Sequence, residues 1–232
     1  MIACKVCGED AVVQFLALGN LPLGNAFLDG FDFDQEEKFP LNVGFCQRCT
    51  LVQQVNPPPV SSLERDYKNY RYVPVGSTLR NHYYDLGKLL GEYLGITNRS
   101  FVVDIGSNDG TLLGHIKAHR DCKVLGIEPA EKISETARRE TNVPTWTTFF
   151  TSKIAEEIVD AHGHADVVTC TQVLQHIPDL LQFLKDVEFL LKPDGVFVIE
   201  GRYFADTLRL NSFDTIYHEM LWFFTLHSLM TL

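Results

Sequence analysis

The second half of the sequence alternates between short, continuously apolar runs and longer segments with helical spacing. The apolar runs that follow Ser100 predict strands: FVVDIG, KVLGIEP, ADVVTCTQVL and VFVIE. The segments between them predict helices, the last one closed by Pro-Asp-Gly: GTLLGHIKAHR, AEKISETARRET and PDLLQFLKDVEFLLKPDG. Strands that are apolar throughout and alternate with helices are typical of a parallel sheet covered on both faces. The pattern therefore predicts a doubly wound α/β domain.

The residues before this domain follow a different pattern. Residues 1–55 are short segments rich in turn residues, and they are too loosely patterned to bury a core without a staple. The stretch NPPPVSS favours an extended connector, and STLRNHYYDLGKLLGEYLG after it predicts a helix. We therefore predict an N-terminal domain over 1–60, a helical connector over 61–98 and the α/β domain over 99–232.

Two pairs of cysteines explain how the N-terminal domain could be stapled. Cys4 and Cys7 form one C-x-x-C knuckle, and Cys46 and Cys49 form a second. Two such pairs complete a tetrahedral site of four thiolates, which suits structural zinc. A thioredoxin-like redox pair would need a βαβ setting that residues 1–55 do not have. Metal binding would supply the stability that this small region lacks.

Composition and charge narrow the classes of partner. The chain has 232 residues, 45% hydrophobic and 22% charged, with a formal net charge of −10. Lys and Arg are scattered, which disfavours unassisted binding to nucleic acid or to an anionic membrane. No apolar run approaches the roughly 20 residues that cross a bilayer, and the start MIACKVCGED does not resemble a secretory signal. We therefore expect a cytoplasmic protein.

A glycine turn follows the first strand of the α/β domain. In VVDIGSNDGTLL, Gly106 and Gly110 allow the backbone to approach a ligand, and the spacing is neither that of a dinucleotide motif nor that of a P-loop. Glu128 ends the next strand, where a carboxylate accepts ribose hydroxyls. Asp104 and Asp109 near the turn suit a ligand with positive groups. S-adenosylmethionine, with its ribose, ammonium and sulfonium, meets these requirements, and Gln172 at a later strand tip could contact its amino-acid part.

These motifs together resemble the zinc-containing, S-adenosylmethionine-dependent C-methyltransferases that act on nucleotide-linked keto-deoxysugars in antibiotic and polysaccharide pathways. The motifs that carry the resemblance run along the whole chain: CKVCG, CQRCTLVQ, LPLGNAF, NYRYVPVGS, VVDIGSNDGTLL, GIEPA, VLQHIPDL and FDTIYHEMLWFFTLHSL. The resemblance implies a Rossmann-like class I methyltransferase domain with a small N-terminal zinc-binding domain and a further C-terminal domain. It implies a small-molecule substrate, a nucleotide-linked sugar, and it places Tyr70, Tyr72 and Ser77 near the cofactor. Together with the glycine turn and the strand tips, this gives the predicted cofactor-binding residues: Tyr70, Tyr72, Ser77, Asp104, Gly106, Ser107, Asn108, Gly110, Glu128, Pro129 and Gln172.

The segment DTIYHEMLWFFTL carries the catalytic part of the resemblance. The family usually has Tyr-His-Glu-His there, and its Tyr, Glu and second His are assigned to enolising or steering the keto sugar, with the second His acting as the base. Tyr217 and Glu219 match, and Met220 stands in place of the second His. The predicted catalytic residues are therefore Tyr217, Glu219 and His218, which is the nearest candidate to replace the missing base. A thioether cannot take a proton at any useful pH. Three alternatives therefore stay open: C-methylation, methylation of oxygen or nitrogen, and a catalytically impaired cofactor-binding remnant.

The last predicted strand, VFVIE, has no predicted neighbour on its outer side. A methyltransferase sheet normally continues with an antiparallel hairpin after the fifth strand. Because proteins generally avoid an exposed apolar edge, we predict that a missing C-terminal domain or a partner chain covers it.

Overall fold

The structure, a computed structural model, describes residues 2–27, 30, 34, 36–68 and 76–232. It divides into two compact units. Unit 1 comprises Met1–Asp66, Leu174–Leu181 and Gly201–Leu232, and unit 2 comprises Tyr67–Val173 and Gln182–Glu200. The segment after residue 200, which the sequence pattern grouped with the α/β domain, thus belongs to the same unit as the four clustered cysteines.

The helices and strands alternate along most of the chain. The strands are β1 (Val12–Pro22), β2 (Lys38–Cys46), β3 (Val52–Gln54), β4 (Phe101–Ile105), β5 (Lys123–Ile127), β6 (Thr145–Trp146), β7 (Ala165–Thr171), β8 (Leu191–Glu200) and β9 (Trp222–Phe223). The α-helices are α1 (Val60–Lys68), α2 (Ser77–Tyr93), α3 (Thr111–Arg120), α4 (Glu131–Thr136), α5 (Ser152–His162), α6 (Leu180–Leu190), α7 (Phe204–Arg209) and α8 (Leu226–Leu229). A π-helical turn, Ala137–Thr141, continues α4, and short 3₁₀ turns lie at Leu174–His176 and Phe213–Thr215.

Unit 1 is built on an antiparallel sheet in the order β1-β2-β3-β9. The sequence pattern did not predict this sheet, because β1 is mostly exposed and therefore lacks a clear apolar face. Strand β9 lies far along the chain, yet it joins the sheet through Gln53, opposite Trp222, and Val52, opposite Phe223. An apolar cluster lies against the sheet: Val43, Val52, Phe204, Met220 and Phe223.

Unit 2 is a parallel sheet in the order β6-β5-β4-β7-β8 with helices before and after its strands. The predicted α/β fold class is confirmed. Strand β4 is buried at every position, which explains its continuous apolar sequence. The main cluster of the unit joins apolar residues of α2, α3, the central strands and the loops next to them: Leu90, Ile96, Val102, Leu112, Leu113, Ile116, Cys122, Val124, Val143 and Val167.

Two predicted boundaries are wrong. The strand predicted over ADVVTCTQVL ends at Thr171, because Gln172 turns the chain with φ +58° and a 3₁₀ turn follows. Pro-Asp-Gly does not close α6, since β8 already begins at Leu191 and residues 192–195 are a bulge beside β7. A bulge accommodates Pro193 because its residues leave the hydrogen-bonded ladder.

Strand β8 lies at one edge of the described parallel sheet, as the sequence predicts. Val196 and Ile199 on this strand are each 38% exposed. What covers this edge stays a prediction. Within the described part of the chain, no helix is both long and apolar enough to cross a membrane.

Candidate functional site

The four cysteines of the two knuckles come together in unit 1. Their sulfur atoms all lie within 4.8 Å of one another, with Cys4 Sγ 3.6 Å from Cys49 Sγ and Cys7 Sγ 3.7 Å from Cys46 Sγ. A regular tetrahedron with metal–sulfur bonds of about 2.3 Å has sulfur–sulfur edges of about 3.8 Å. All four are free thiols. The donor set and its dimensions therefore fit the Zn²⁺ site that the spacing predicts.

The protonation of these thiols is uneven. Burial raises the pKa of the Cys4 thiol, but hydrogen bonds from the backbone N–H groups of Cys7 and Val6, then from Gln53 and Cys49, outweigh burial and bring that pKa to about 7. Burial raises the pKa of the Cys49 thiol well above its ordinary value. The surroundings of Cys4 therefore favour its thiolate form more than the surroundings of Cys49 do.

In unit 2, the glycine turn lies between β4 and α3. Gly106 and Gly110 have φ of +73° and +74°. A Cβ on Gly106 would lie 2.3 Å from Val173 Cγ2, and one on Gly110 would lie 2.6 Å from Thr141 Oγ1. Both glycines are therefore required by the fold of the turn itself, in addition to any ligand. Asn108, between them, also has a positive φ of +50°.

Glu128 is held in the position that suits a ribose ligand. It is buried just beyond β5, where one carboxylate oxygen accepts from Ala130 N at 2.9 Å and the other from Asn108 N at 3.1 Å. Burial raises the pKa of this carboxyl, and the two backbone donors oppose the rise. Each oxygen can accept a further hydrogen bond, so the pair can receive two hydroxyl groups. Pro129, the next residue, is half-buried.

Asp104 is the most deeply buried carboxyl of the turn. Its Oδ1 accepts from Thr169 Oγ1 at 2.7 Å. Burial is the main cause that raises its pKa, the hydrogen bond from Thr169 opposes the rise, and the negative charge of Glu128 adds to it, which together bring the pKa to about 7. By contrast, Asp109 Oδ1 accepts from Thr111 N and Oγ1, which commits Asp109 to the first turn of α3. Two aspartates are predicted to favour a cationic ligand. Of these, Asp104 has the carboxyl whose ionisation a nearby positive charge would favour.

The stability of the ligand-free protein should fall as pH rises because of Asp104. Its pKa in the folded state is about 7, against about 3.9 when unfolded. At pH values between these two pKa values, the folded state binds more protons than the unfolded state, so the free energy of unfolding decreases as the pH rises. This decrease is complete above a pH of about 7. Asp104→Asn should therefore gain stability relative to wild type at pH 8 and not at pH 4. Urea unfolding at both pH values measures this, with exposed Asp85→Asn as the control. If the free energy of unfolding differs between Asp104→Asn and wild type by the same amount at pH 4 and at pH 8, the Asp104 carboxyl does not ionise in a buried site.

The remaining cofactor candidates have different outcomes. Tyr70 and Tyr72 lie outside the described residues. Ser77 begins α2 and is exposed. Gln172 is also exposed, and its backbone N–H donates to Glu200 O. Ser107 is buried and packs against Gly126. These roles stay predictions.

Two residues of α2 were not predicted as part of this region. His82 Nε2 lies 2.7 Å from Glu200 Oε2, at the carboxyl end of β8. Burial raises the pKa of Tyr83, and a hydrogen bond with Thr171 opposes the rise. The sequence carries the signal for these residues as three consecutive polar aromatic side chains, His82, Tyr83 and Tyr84, on one predicted helix.

The predicted catalytic segment lies in unit 1, immediately before β9. His218 is buried, and its Nε2 donates to Phe39 O at 2.9 Å. The side-chain NH₂ group of Gln54 shares its two hydrogens among three carbonyl oxygens of the segment. Its Nε2 lies 3.1 Å from Tyr217 O, 2.8 Å from His218 O and 2.9 Å from Met220 O. His218 therefore ties the segment to β2, while Gln54 ties it to β3.

Glu219 is 1% exposed and is anchored on one side only. Its Oε1 accepts from Asn25 Nδ2 at 3.0 Å, and its Oε2 has no hydrogen-bond partner among the described residues. A buried oxygen without a partner costs roughly 1–3 kcal/mol, so this acceptor is available to a ligand, a substrate or a water molecule. The backbone beside it is fixed by His176 Nδ1, which donates to Glu219 O at 2.6 Å. Burial lowers the pKa of His176, which favours its neutral form.

Met220, at the position of the family's second His, is a core residue. It is 2% exposed and packs in the apolar cluster of unit 1. The side chain therefore contributes packing there and offers no proton acceptor. The sequence identified the substitution but could not show that the position faces the core.

Substitutions at Met220 should separate packing from chemistry. Met220→Leu should change the free energy of unfolding by less than about 1.5 kcal/mol, because volume and polarity are nearly conserved. Met220→His should lower it by about 1–3 kcal/mol, because an imidazole would enter the apolar cluster. Urea unfolding followed by tryptophan fluorescence measures both. A Met220→His protein as stable as Met220→Leu would contradict the core position.

Comparison with known proteins relates both units to described families. A family model described as "Methyltransferase domain" matches residues 79–232, and one described as "Putative zinc binding domain" matches residues 4–62. The C-methyltransferase NovU of Streptomyces niveus is 38% identical over 99% of this chain. The chain spans 54% of the length of that relative. A ubiquinone biosynthesis O-methyltransferase of Actinobacillus pleuropneumoniae is 32% identical over 41% of this chain and 42% of its own length.

Solved structures agree with the fold. A methyltransferase from Archaeoglobus fulgidus that depends on S-adenosylmethionine (SAM) superposes with a TM-score of 0.51 and 17% identity, covering 64% of this chain and 66% of that one. The plantazolicin methyltransferase BpumL, in complex with SAH, superposes with a TM-score of 0.52 and 15% identity. The superposition covers 74% of this chain and 66% of that one. At these low identities the two superpositions show only that the chain has the same fold as these methyltransferases.

Proposed function

Since the chain belongs to the methyltransferase-domain family, we propose that it transfers a methyl group from S-adenosylmethionine to a carbon atom of a nucleotide-linked keto-deoxysugar. The observation that carries this proposal is the 38% identity to C-methyltransferase NovU, which extends over 99% of the chain. The region shared with that relative includes the cysteine knuckles, the glycine turn and the Tyr217–Glu219 segment.

The proposed cofactor contacts follow from unit 2. Glu128 would accept the two ribose hydroxyls, because each of its oxygens keeps acceptor capacity after bonding to the backbone. Asp104 would favour the ammonium group, since a nearby positive charge stabilises an ionised buried carboxylate. S-adenosylmethionine supplies an electrophilic methyl group when bound. The zinc ion would be held by Cys4, Cys7, Cys46 and Cys49 and would stabilise unit 1.

Methylation at carbon requires that a proton leave the carbon beside the ketone. Met220 cannot accept it, and Nε2 of His218 is engaged with Phe39 O. Glu219 Oε2 is buried and has no partner in the described part of the chain. We therefore assign proton removal to Glu219, with Asn25 fixing the other carboxylate oxygen. The Tyr217 hydroxyl would stabilise the enolate oxygen, consistent with the role implied by the family resemblance.

One observation favours a second candidate, methylation at oxygen or nitrogen. The position of the family's second His is filled by a buried thioether, and a heteroatom acceptor needs no carbon-acid base. A non-catalytic cofactor-binding role is the remaining alternative.

The three functions differ in the product. Purified protein is incubated with methyl-labelled S-adenosylmethionine and a nucleoside-diphosphate 4-keto-deoxysugar. C-methylation gives a labelled sugar whose methyl group is bonded to carbon by NMR, while heteroatom methylation places it on oxygen or nitrogen. Absence of transfer, in protein that binds the cofactor, would support the non-catalytic role and overturn the proposal.

A further inference from the structure

Two consecutive glutamines occupy strand β3 in the interior of unit 1. Gln53 and Gln54 are each 1% exposed. Successive side chains of a strand point to opposite faces, so the two amides serve different surroundings. Burying an amide costs free energy unless its hydrogen bonds are replaced, which makes two in a row a costly choice for a short strand.

Gln53 is directed towards the thiolate cluster. Its Oε1 accepts from Lys5 N at 3.1 Å, and its Nε2 lies 3.1 Å from Cys4 Sγ. Because a backbone N–H can only donate, the oxygen must face Lys5 and the NH₂ group must face the sulfur. An N–H donated to a metal-bound thiolate stabilises its negative charge and fixes its orientation. Gln53 thus contacts both the backbone of the first knuckle and one of its sulfur atoms.

Gln54 is directed towards the Tyr217–Met220 segment. Its NH₂ group lies within 3.1 Å of the carbonyl oxygens of Tyr217, His218 and Met220. Carbonyl oxygens only accept, so this end of the amide must also be the nitrogen. The backbone adds a bond from Gln54 N to Leu221 O at 2.9 Å. Within the segment, Met220 N donates to Tyr217 O at 3.0 Å, which closes a turn. Gln54 adds side-chain hydrogen bonds to this turn and so helps to set where its carbonyl groups point.

We propose that Gln53 and Gln54 are a pair of positioning residues that link the zinc site to the segment carrying Glu219. Gln53 would act through Cys4, and Gln54 would act through the backbone on either side of Glu219. Because the two residues are adjacent on one paired strand, displacement of the thiolate cluster displaces the segment. The catalytic importance of the link rests on the proposed function, whereas the link itself does not.

The test compares four variants of the zinc-loaded protein. Gln53→Met and Gln54→Met remove one amide each, and Gln14→Met, on exposed β1, is the control. Gln54→Asn is made as well, because it keeps an amide and replaces Gln54→Met if that variant does not fold. Three quantities are measured: zinc release to a competing chelator, hydrogen exchange of the peptide covering 217–223, and kcat and KM.

Each variant has a distinct expected result. Gln54→Met should accelerate exchange in 217–223 by about tenfold, the value of one lost hydrogen bond, and should keep its zinc. Its kcat should fall by at least as much, with KM for the cofactor unchanged. Gln53→Met should bind zinc about 10–100-fold more weakly and should show the faster exchange when zinc is limiting. Gln14→Met should match wild type in every measurement.

Two results would overturn the link. Unchanged exchange and kcat in Gln54→Met would show that the segment is held by other contacts. Equal loss of zinc in Gln53→Met and Gln54→Met would show a general loosening of the unit. Exchange and zinc release need no methyl acceptor, so they judge the link even if wild type methylates no keto sugar. That last result would reject the proposed function alone.

Discussion

Glu219→Gln is expected to lower kcat for C-methylation by about 10²–10⁴-fold, the usual contribution of general-base catalysis. Glutamine keeps the shape of the side chain and an oxygen for Asn25 Nδ2, but it cannot accept a proton at Oε2. The variant should therefore fold, bind the cofactor as wild type does, and lose the chemical step. Steady-state kinetics with the keto sugar, together with cofactor titration, measure the two effects separately.

The control for this variant is Glu64→Gln, an exposed glutamate of the same unit. It should retain wild-type kcat, since it removes a similar charge without touching the segment. If Glu219→Gln keeps a kcat within about twofold of this control, Glu219 does not take the proton and the assignment fails.

Removal of the metal is expected to have the largest effect on stability. Apparent binding free energies of structural zinc are about 10–16 kcal/mol, as large as the stability of a whole domain. Unit 1 has an antiparallel sheet with a mostly exposed outer strand, so its apolar cluster alone is a weak source of stability. Chelation, or Cys46→Ser, should abolish protection from hydrogen exchange across β1, β2 and β3. Native mass spectrometry should find one zinc ion per chain before treatment.

Cys122→Ala is the matched control for the metal. Cys122 is a buried thiol in the core of unit 2 and is not part of the four-sulfur cluster. This variant should lose some stability through the change in packing while keeping one zinc ion. Wild-type exchange protection in zinc-free protein would show that the cluster is not a structural metal site.

The sequence predicts unit 2 well because its signals are local or periodic. Strands β4, β5 and β7 are mostly buried, so each reads as an unbroken apolar run. The two cysteine knuckles can also be predicted from the sequence, because each pair of cysteines lies within one tight turn. Two such pairs supply the four sulfur ligands of a tetrahedral site. The antiparallel sheet of unit 1 had no such signal, as the exposed face of β1 carries Phe15 and Leu18.

The contacts around Glu219 could not be predicted, for a different reason. Asn25 and Glu219 are 194 residues apart in sequence, and Gln54 is 163 residues from Tyr217. No local pattern specifies which buried amide meets which carbonyl over such separations. The same holds for Met220, whose direction depends on how β9 joins β3. The sequence identifies the residues of the segment, and the proposal that Glu219 removes the proton rests on tertiary contacts that the sequence does not specify.

The most direct test of this account is solvent exchange at the carbon beside the ketone. Wild-type protein is incubated with the nucleoside-diphosphate keto-deoxysugar in deuterated water, with S-adenosylhomocysteine in place of the methyl donor, and the sugar is examined by NMR. We predict that deuterium enters at that carbon with wild type and not with Glu219→Gln. Absence of deuterium at that carbon with wild type, or equal incorporation with wild type and Glu219→Gln, would contradict the account.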